Sequence, residues 1–129
     1  IAASAYPPGA LFWEWRETAG AACRAARSCP YPAVAAQGHA LRVEDFVATL
    51  IVEATVHLLD LTVQLPAAPK PEPGALALVC RVLDGLIGVP GPSYWDSETY
   101  ALKGTGRLAL TADERSSLGQ LAEQYPVFG

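Results

Sequence analysis

The sequence predicts an all-α, antiparallel helix bundle with little or no sheet. Three observations predict it. Apolar residues recur every three to four positions over 8–28, 41–65 and 75–88. Prolines and glycines punctuate the intervals between those stretches. No strand-like alternation runs longer than RLAL at 107–110. With 129 residues, 51% hydrophobic and 17% charged, the chain suits one helical domain over residues 1–129 with a single core.

Pro7 and Pro8 suit a first helical turn, where a missing N–H is harmless. Phe12, Trp15, Ala19, Ala22 and Ala26 then form an apolar stripe, with Arg16, Glu17, Arg24 and Arg27 mostly off it. Trp13 and Trp15 read as packing residues. Pro30 ends this helix after Ser28 and Cys29, because it disfavours a helical residue before it. Residues 30–40, with Pro30, Pro32 and Gly38, read as a loop, and His39 in it as a solvated residue.

The central helix is LRVEDFVATLIVEATVHLLDLTVQL, residues 41–65, opening on Glu44 and Asp45, which favour the positive end of the helix dipole. Phe46, Leu50, Glu53, His57 and Leu61 share one stripe, and the other side, Val47, Ile51, Ala54 and Leu58, is apolar too. A helix apolar nearly all round belongs inside a bundle, so Glu53 and His57 are expected to point inward with their tips in one shared cavity. Three readings fit them: a self-satisfied pair across one turn, a general base with its partner, or two ligands of one divalent metal. Catalytic zinc takes three protein ligands and keeps an open position, so two donors alone do not complete such a site.

PAAPKPEPG at 66–74 holds four prolines and reads as an extended connection. A third helix directs Ala75, Val79, Val82, Leu83 and Leu86 inward and stops at Gly88. After the VPGPS loop, Ser93 or Asp96 caps a short fourth helix through Leu102, closed by Gly104. Thr111 and Glu114 form a capping box for a last helix from Ala112 to Glu123.

Charge and composition exclude several classes. A net charge of −4, with nine basic residues scattered along the chain, argues against a nucleic-acid partner. Glu53, His57 and Asp60 interrupt the longest apolar run, which argues against a membrane span. IAASAY lacks the basic flank and apolar stretch of a signal peptide. Cys23, Cys29 and Cys80 have no metal-binding spacing; Cys23 and Cys80 fall on apolar helical faces, as small hydrophobes in a reducing, cytoplasmic setting, with a Cys23–Cys29 bridge as the alternative. The chain starts with Ile and contains no Met, so we expect a processed protein or a piece of a longer one.

Laid end to end, DFVATLIVEATVHLLDL, the proline-rich connection with its following helix, and GTGRLALTADERSSLGQLAEQYPVFG resemble one family. It is the mycothiol-dependent maleylpyruvate isomerase-like group of the DinB superfamily, common in actinobacteria. The likeness covers residues 41–129, and 8–28 fit the preceding helix less specifically. Its specific parts are V-E-x-x-V-H-x-x-D-L at Val52 to Leu61 and the T-G-R…L-G-x-L-A ending. The resemblance implies a four-helix bundle holding a divalent metal, commonly zinc. The implied ligands are a His from an early helix, Glu53 and His57. Mycothiol would approach the open metal position, where its thiolate adds to an electrophilic small-molecule substrate. The implied activity is that of an isomerase or S-transferase.

Two departures accompany the likeness. The family's early helices, with a C-P-G-W-like turn and an A-H-L histidine, are absent, so the resemblance implies that this chain is the C-terminal part of a longer protein. Leu50 stands where members often carry Arg. Asp60, one turn beyond His57, can hydrogen-bond the imidazole from behind or bond elsewhere near the helix end. Arg107 can receive a carboxylate of substrate or cofactor, or pair with Asp96, Glu98 or Asp113. A second copy or a missing N-terminal segment is expected to cover the apolar face of residues 43–65. The alternative function is a non-catalytic bundle for protein association or small-molecule binding.

Overall fold

The structure is a computed structural model, and it describes residues 7, 9–65 and 67–128. It is mostly helical with one small two-stranded sheet, in agreement with the expected class. The chain divides after Val47 into two compact units.

The first unit holds α1 (Ala10–Ser28), β1 (Ala33–Ala36), β2 (His39–Arg42) and the start of α2 (Val43–Thr62). No residue of α1 is buried, and Phe12 and Trp15 are more than half exposed. The expected packing role of that stripe, and of Trp13, is therefore corrected. Periodicity identifies the face that seeks cover, but another element must supply the cover. Arg16 instead lies over the Phe12 and Trp13 rings, 5.7 and 5.2 Å from their centroids.

Residues 33–42, read in part as loop, form an antiparallel hairpin pairing Ala33 with Arg42 and Ala36 with His39. Gln37 and Gly38 both have positive φ, 50° and 81°, the combination that reverses a chain in two residues. Its four-residue, alanine-rich strands carry no apolar alternation for a sequence reading to detect. Conversely RLAL at 107–110 is not a strand.

The second unit is built on three helices: the rest of α2, α3 (Pro73–Ile87) and α4 (Ser97–Gly104). Val52, Val56 and Leu59 of α2 meet Leu76, Val79 and Leu83 of α3 and Tyr100 and Ala101 of α4 in one core. Val79 and Leu83 are fully enclosed; burying such a side chain stabilises by roughly 1.5–3 kcal/mol. Leu86, expected inward, is exposed, and Leu76 takes the inward position. Gly104 lets α4 close on α3: a Cβ there would lie 2.5 Å from Leu83 Cδ1.

Most local end signals work as read. Gly88 closes α3 at φ 84°, but the helix starts at Pro73, inside the stretch expected to be an extended connection, because proline suits a first helical turn. Asp96 accepts from Thr99 N–H to cap α4. Thr111 and Glu114 form the reciprocal box at α5 (Ala112–Leu118). The last helix is shorter than expected, because Gly119 leaves helical geometry and Gly119–Gln124 continue as a 3-10 turn. The N–H groups of Val127 and Phe128 then donate to the Gly104 carbonyl, docking the chain end on α4.

Candidate functional site

The side chains of α2 divide into two faces. Val52, Thr55, Val56 and Leu59 recur at helical spacing and are buried. The opposite stripe, with Leu50, Glu53, His57 and Leu61, faces solvent. The expectation that Glu53 and His57 point into an enclosed cavity, on which the metal reading from the sequence depends, is corrected: their side chains are 68% and 70% exposed. Helices α3 and α4 give α2 one packing layer, and one layer covers one face. All-round apolarity calls for a second layer but does not provide it.

On that outer face four charged or titratable side chains lie in sequence. His57 Nε2 is 3.6 Å from Glu53 Oε2, beyond a hydrogen bond. On the other side of the ring, His57 Nδ1 is 3.4 Å from Asp60 Oδ2. Asp60 is in turn gripped by Arg107, whose Nε donates to Oδ1 at 2.7 Å and Nη2 to Oδ2 at 3.1 Å. This two-pronged bond is the strong form of an Arg–carboxylate pair. It holds the Asp60 carboxyl below its usual range, chiefly through the Arg107 hydrogen bonds, and raises Arg107 correspondingly. The remaining prong, Nη1, donates to Thr105 O at 2.5 Å.

The hydrogen bonds of Asp60 thus go to Arg107, the alternative in which it bonds elsewhere near the helix end, while its Oδ2 still lies 3.4 Å from the imidazole. Arg107 reaches none of the partners first considered. Asp96 caps α4 and Glu98 pairs with Lys70, while the guanidinium crosses 47 residues of sequence to Asp60. Beside this pair lies an open depression of about 490 Å³, lined by Asp60, Thr105, Gly106, Arg107, Pro126 and Phe128. His39 is on β2 in the first unit and is exposed.

Glu53 Oε2 and His57 Nε2 face each other on this solvent-exposed side of α2. Among the described residues no group of three His, Cys, Asp or Glu side chains converges on a point. All three cysteines are free thiols. Cys23 is exposed, against the apolar-face reading, whereas Cys80 is partly buried, its thiol pushed up by that burial. Among the described residues no helix is long and apolar enough to cross a membrane.

A second charged cluster escaped the sequence reading. Lys103 is buried; its Nζ donates to Glu114 Oε2 at 2.8 Å and to Ala109 O at 3.0 Å, and lies 5.6 Å from the Trp95 ring centroid. Glu114 also accepts from Trp95 Nε1 at 2.7 Å and from Thr111 N–H at 2.7 Å. Its carboxyl is pulled down to about 2, first by Lys103 and then by the Thr111 N–H. The capping box announced Glu114, but no local pattern marks Lys103 as buried.

No family model, no curated protein and no solved structure matches this chain.

Proposed function

We propose that the chain is part of a metal- and thiol-dependent isomerase or S-transferase of the maleylpyruvate isomerase-like kind. In this reading unit 2 contributes to a four-helix bundle, and Glu53 and His57 are two ligands of a divalent ion, zinc being the simplest choice. One observation carries it: Nε2 and Oε2 are 3.6 Å apart. That is too far for a hydrogen bond but near the ~3.4 Å that separates two ligands ~2.0–2.1 Å from a tetrahedral zinc.

A bound divalent ion would supply the positive charge that keeps a thiol, mycothiol by the resemblance, in its nucleophilic thiolate form at neutral pH. The chain's own residues do the rest. Asp60 holds the imidazole from behind, so that the ring presents Nε2 rather than Nδ1. Leu50 and Leu61 flank the donors with apolar surface, which excludes water once another layer covers it. A third histidine comes from outside these residues. Free thiols fit the reducing, cytoplasmic setting this chemistry needs.

A second reading rests on that same apolar flank. Leu50 is 51% and Leu61 72% exposed, as suits a non-catalytic module whose α2 face docks another protein or a small molecule. Equilibrium dialysis of the full-length protein, which would supply the third ligand, against zinc and cobalt at neutral pH separates the two. The metal reading expects one ion per molecule, abolished by His57→Ala. Absence of binding, or binding that survives His57→Ala, replaces it with the association module.

A further inference from the structure

We propose that Arg107 is a positioning residue for His57: by fixing the Asp60 carboxylate it sets which imidazole nitrogen is available to a ligand. The inference rests on the reading of His57 as a metal ligand.

The geometry forms a chain of contacts. Asp60 Oδ2 is shared, lying 3.1 Å from Arg107 Nη2 and 3.4 Å from His57 Nδ1. In a neutral imidazole one nitrogen carries the proton and the other a lone pair. The hydrogen-bond acceptor on one side therefore decides the role of the other. A carboxylate held at Nδ1 selects the Nδ1–H form and leaves the Nε2 lone pair facing Glu53. Asp60 is 39% exposed, and a carboxylate at the surface without an anchor rotates among rotamers and hydrates. Arg107 removes that freedom by binding both of its oxygens.

The anchor is itself held firmly. Arg107 follows Gly106, whose φ of 76° turns the chain back at the end of α4. The Arg107 N–H donates to Leu102 O at 2.8 Å, and Nη1 to Thr105 O. Thr105 is buried, with its hydroxyl on Ala101 O at 2.6 Å. The two N–H groups of Val127 and Phe128 on Gly104 O tie the chain end to this turn. The guanidinium thus arrives at α2 from a backbone fixed at several points. Lysine would keep the charge but not the two-pronged grip.

The test combines two readouts. Imidazole 15N spectra of this chain, metal-free and at alkaline pH, report the tautomer of His57; zinc competition on the full-length protein, which would supply the third ligand, reports affinity. His39→Gln in every sample leaves one imidazole to observe. We expect the Nδ1–H form in the parent chain and a shift toward Nε2–H in Arg107→Gln and Asp60→Asn. Each variant should lower zinc affinity ~10–100-fold, and the double variant by no more than the worse single. Arg107→Lys, the variant safest for folding, should fall between. An unchanged tautomer in Arg107→Gln and Arg107→Lys overturns the proposal whatever zinc does. A tautomer that shifts while the full-length protein binds no zinc supports the positioning role and overturns the metal reading instead.

Discussion

Lys103 and Glu114 pair at 2.8 Å with side chains only 4% and 18% exposed, whereas His57 and Glu53 stand 3.6 Å apart with roughly two-thirds of each in solvent. Both pairs belong to the same unit and both join opposite charges when the imidazole is protonated. They differ in how much bonding capacity is left. Around Lys103 and Glu114 a carbonyl, an indole N–H and a backbone N–H fill the remaining sites, as a desolvated charge requires. A ligand would find no donor there. On α2 the two donors avoid desolvation and remain turned outward, and only the far side of the ring is attended, by Asp60 and Arg107. Saturation marks the first cluster as architecture; spare capacity is what the proposed metal reading of the second requires.

The largest expected effect tests the saturated cluster. Lys103→Ala removes a buried cation from the part-buried Glu114, and urea unfolding should show a clear loss of stability. A loss below ~1 kcal/mol would erase the contrast with α2.

Acid should then separate the clusters by pH. The folded-state pKa of Glu114, about 2, lies below its ordinary 4.5. Its contribution to stability is therefore fully present above 4.5 and is lost as pH falls toward 2. Asp60 is shifted in the same direction, its pKa lowered from 3.8 by the Arg107 hydrogen bonds. Unfolding followed by circular dichroism should show this acid loss, and Lys103→Met should flatten the part that belongs to Glu114.

The smallest effect is on the outer face. Glu53→Gln with His57→Gln should change stability by less than ~0.5 kcal/mol, since neither side chain is buried or closes a hydrogen bond to the other. Thermal unfolding checks this directly. A destabilisation as large as that of Lys103→Ala would make the α2 pair structural and remove the reason to read it as a site.

What the sequence determined by itself was local. Gly88, Asp96 and the Thr111–Glu114 box mark helix ends correctly, because capping acts within about four residues of chain. The i, i+4 and i, i+3 spacings place Glu53, His57 and Asp60 together on one helix for the same reason. Tertiary structure alone decided the rest. Which face of α2 is covered depends on how many layers lie against it, and a helix apolar on both sides does not say. The burial of Lys103, and the bond from Arg107 to Asp60 across 47 residues, come from the way α4 and the turn after it pack. Local periodicity carries no record of contacts between segments so far apart in sequence.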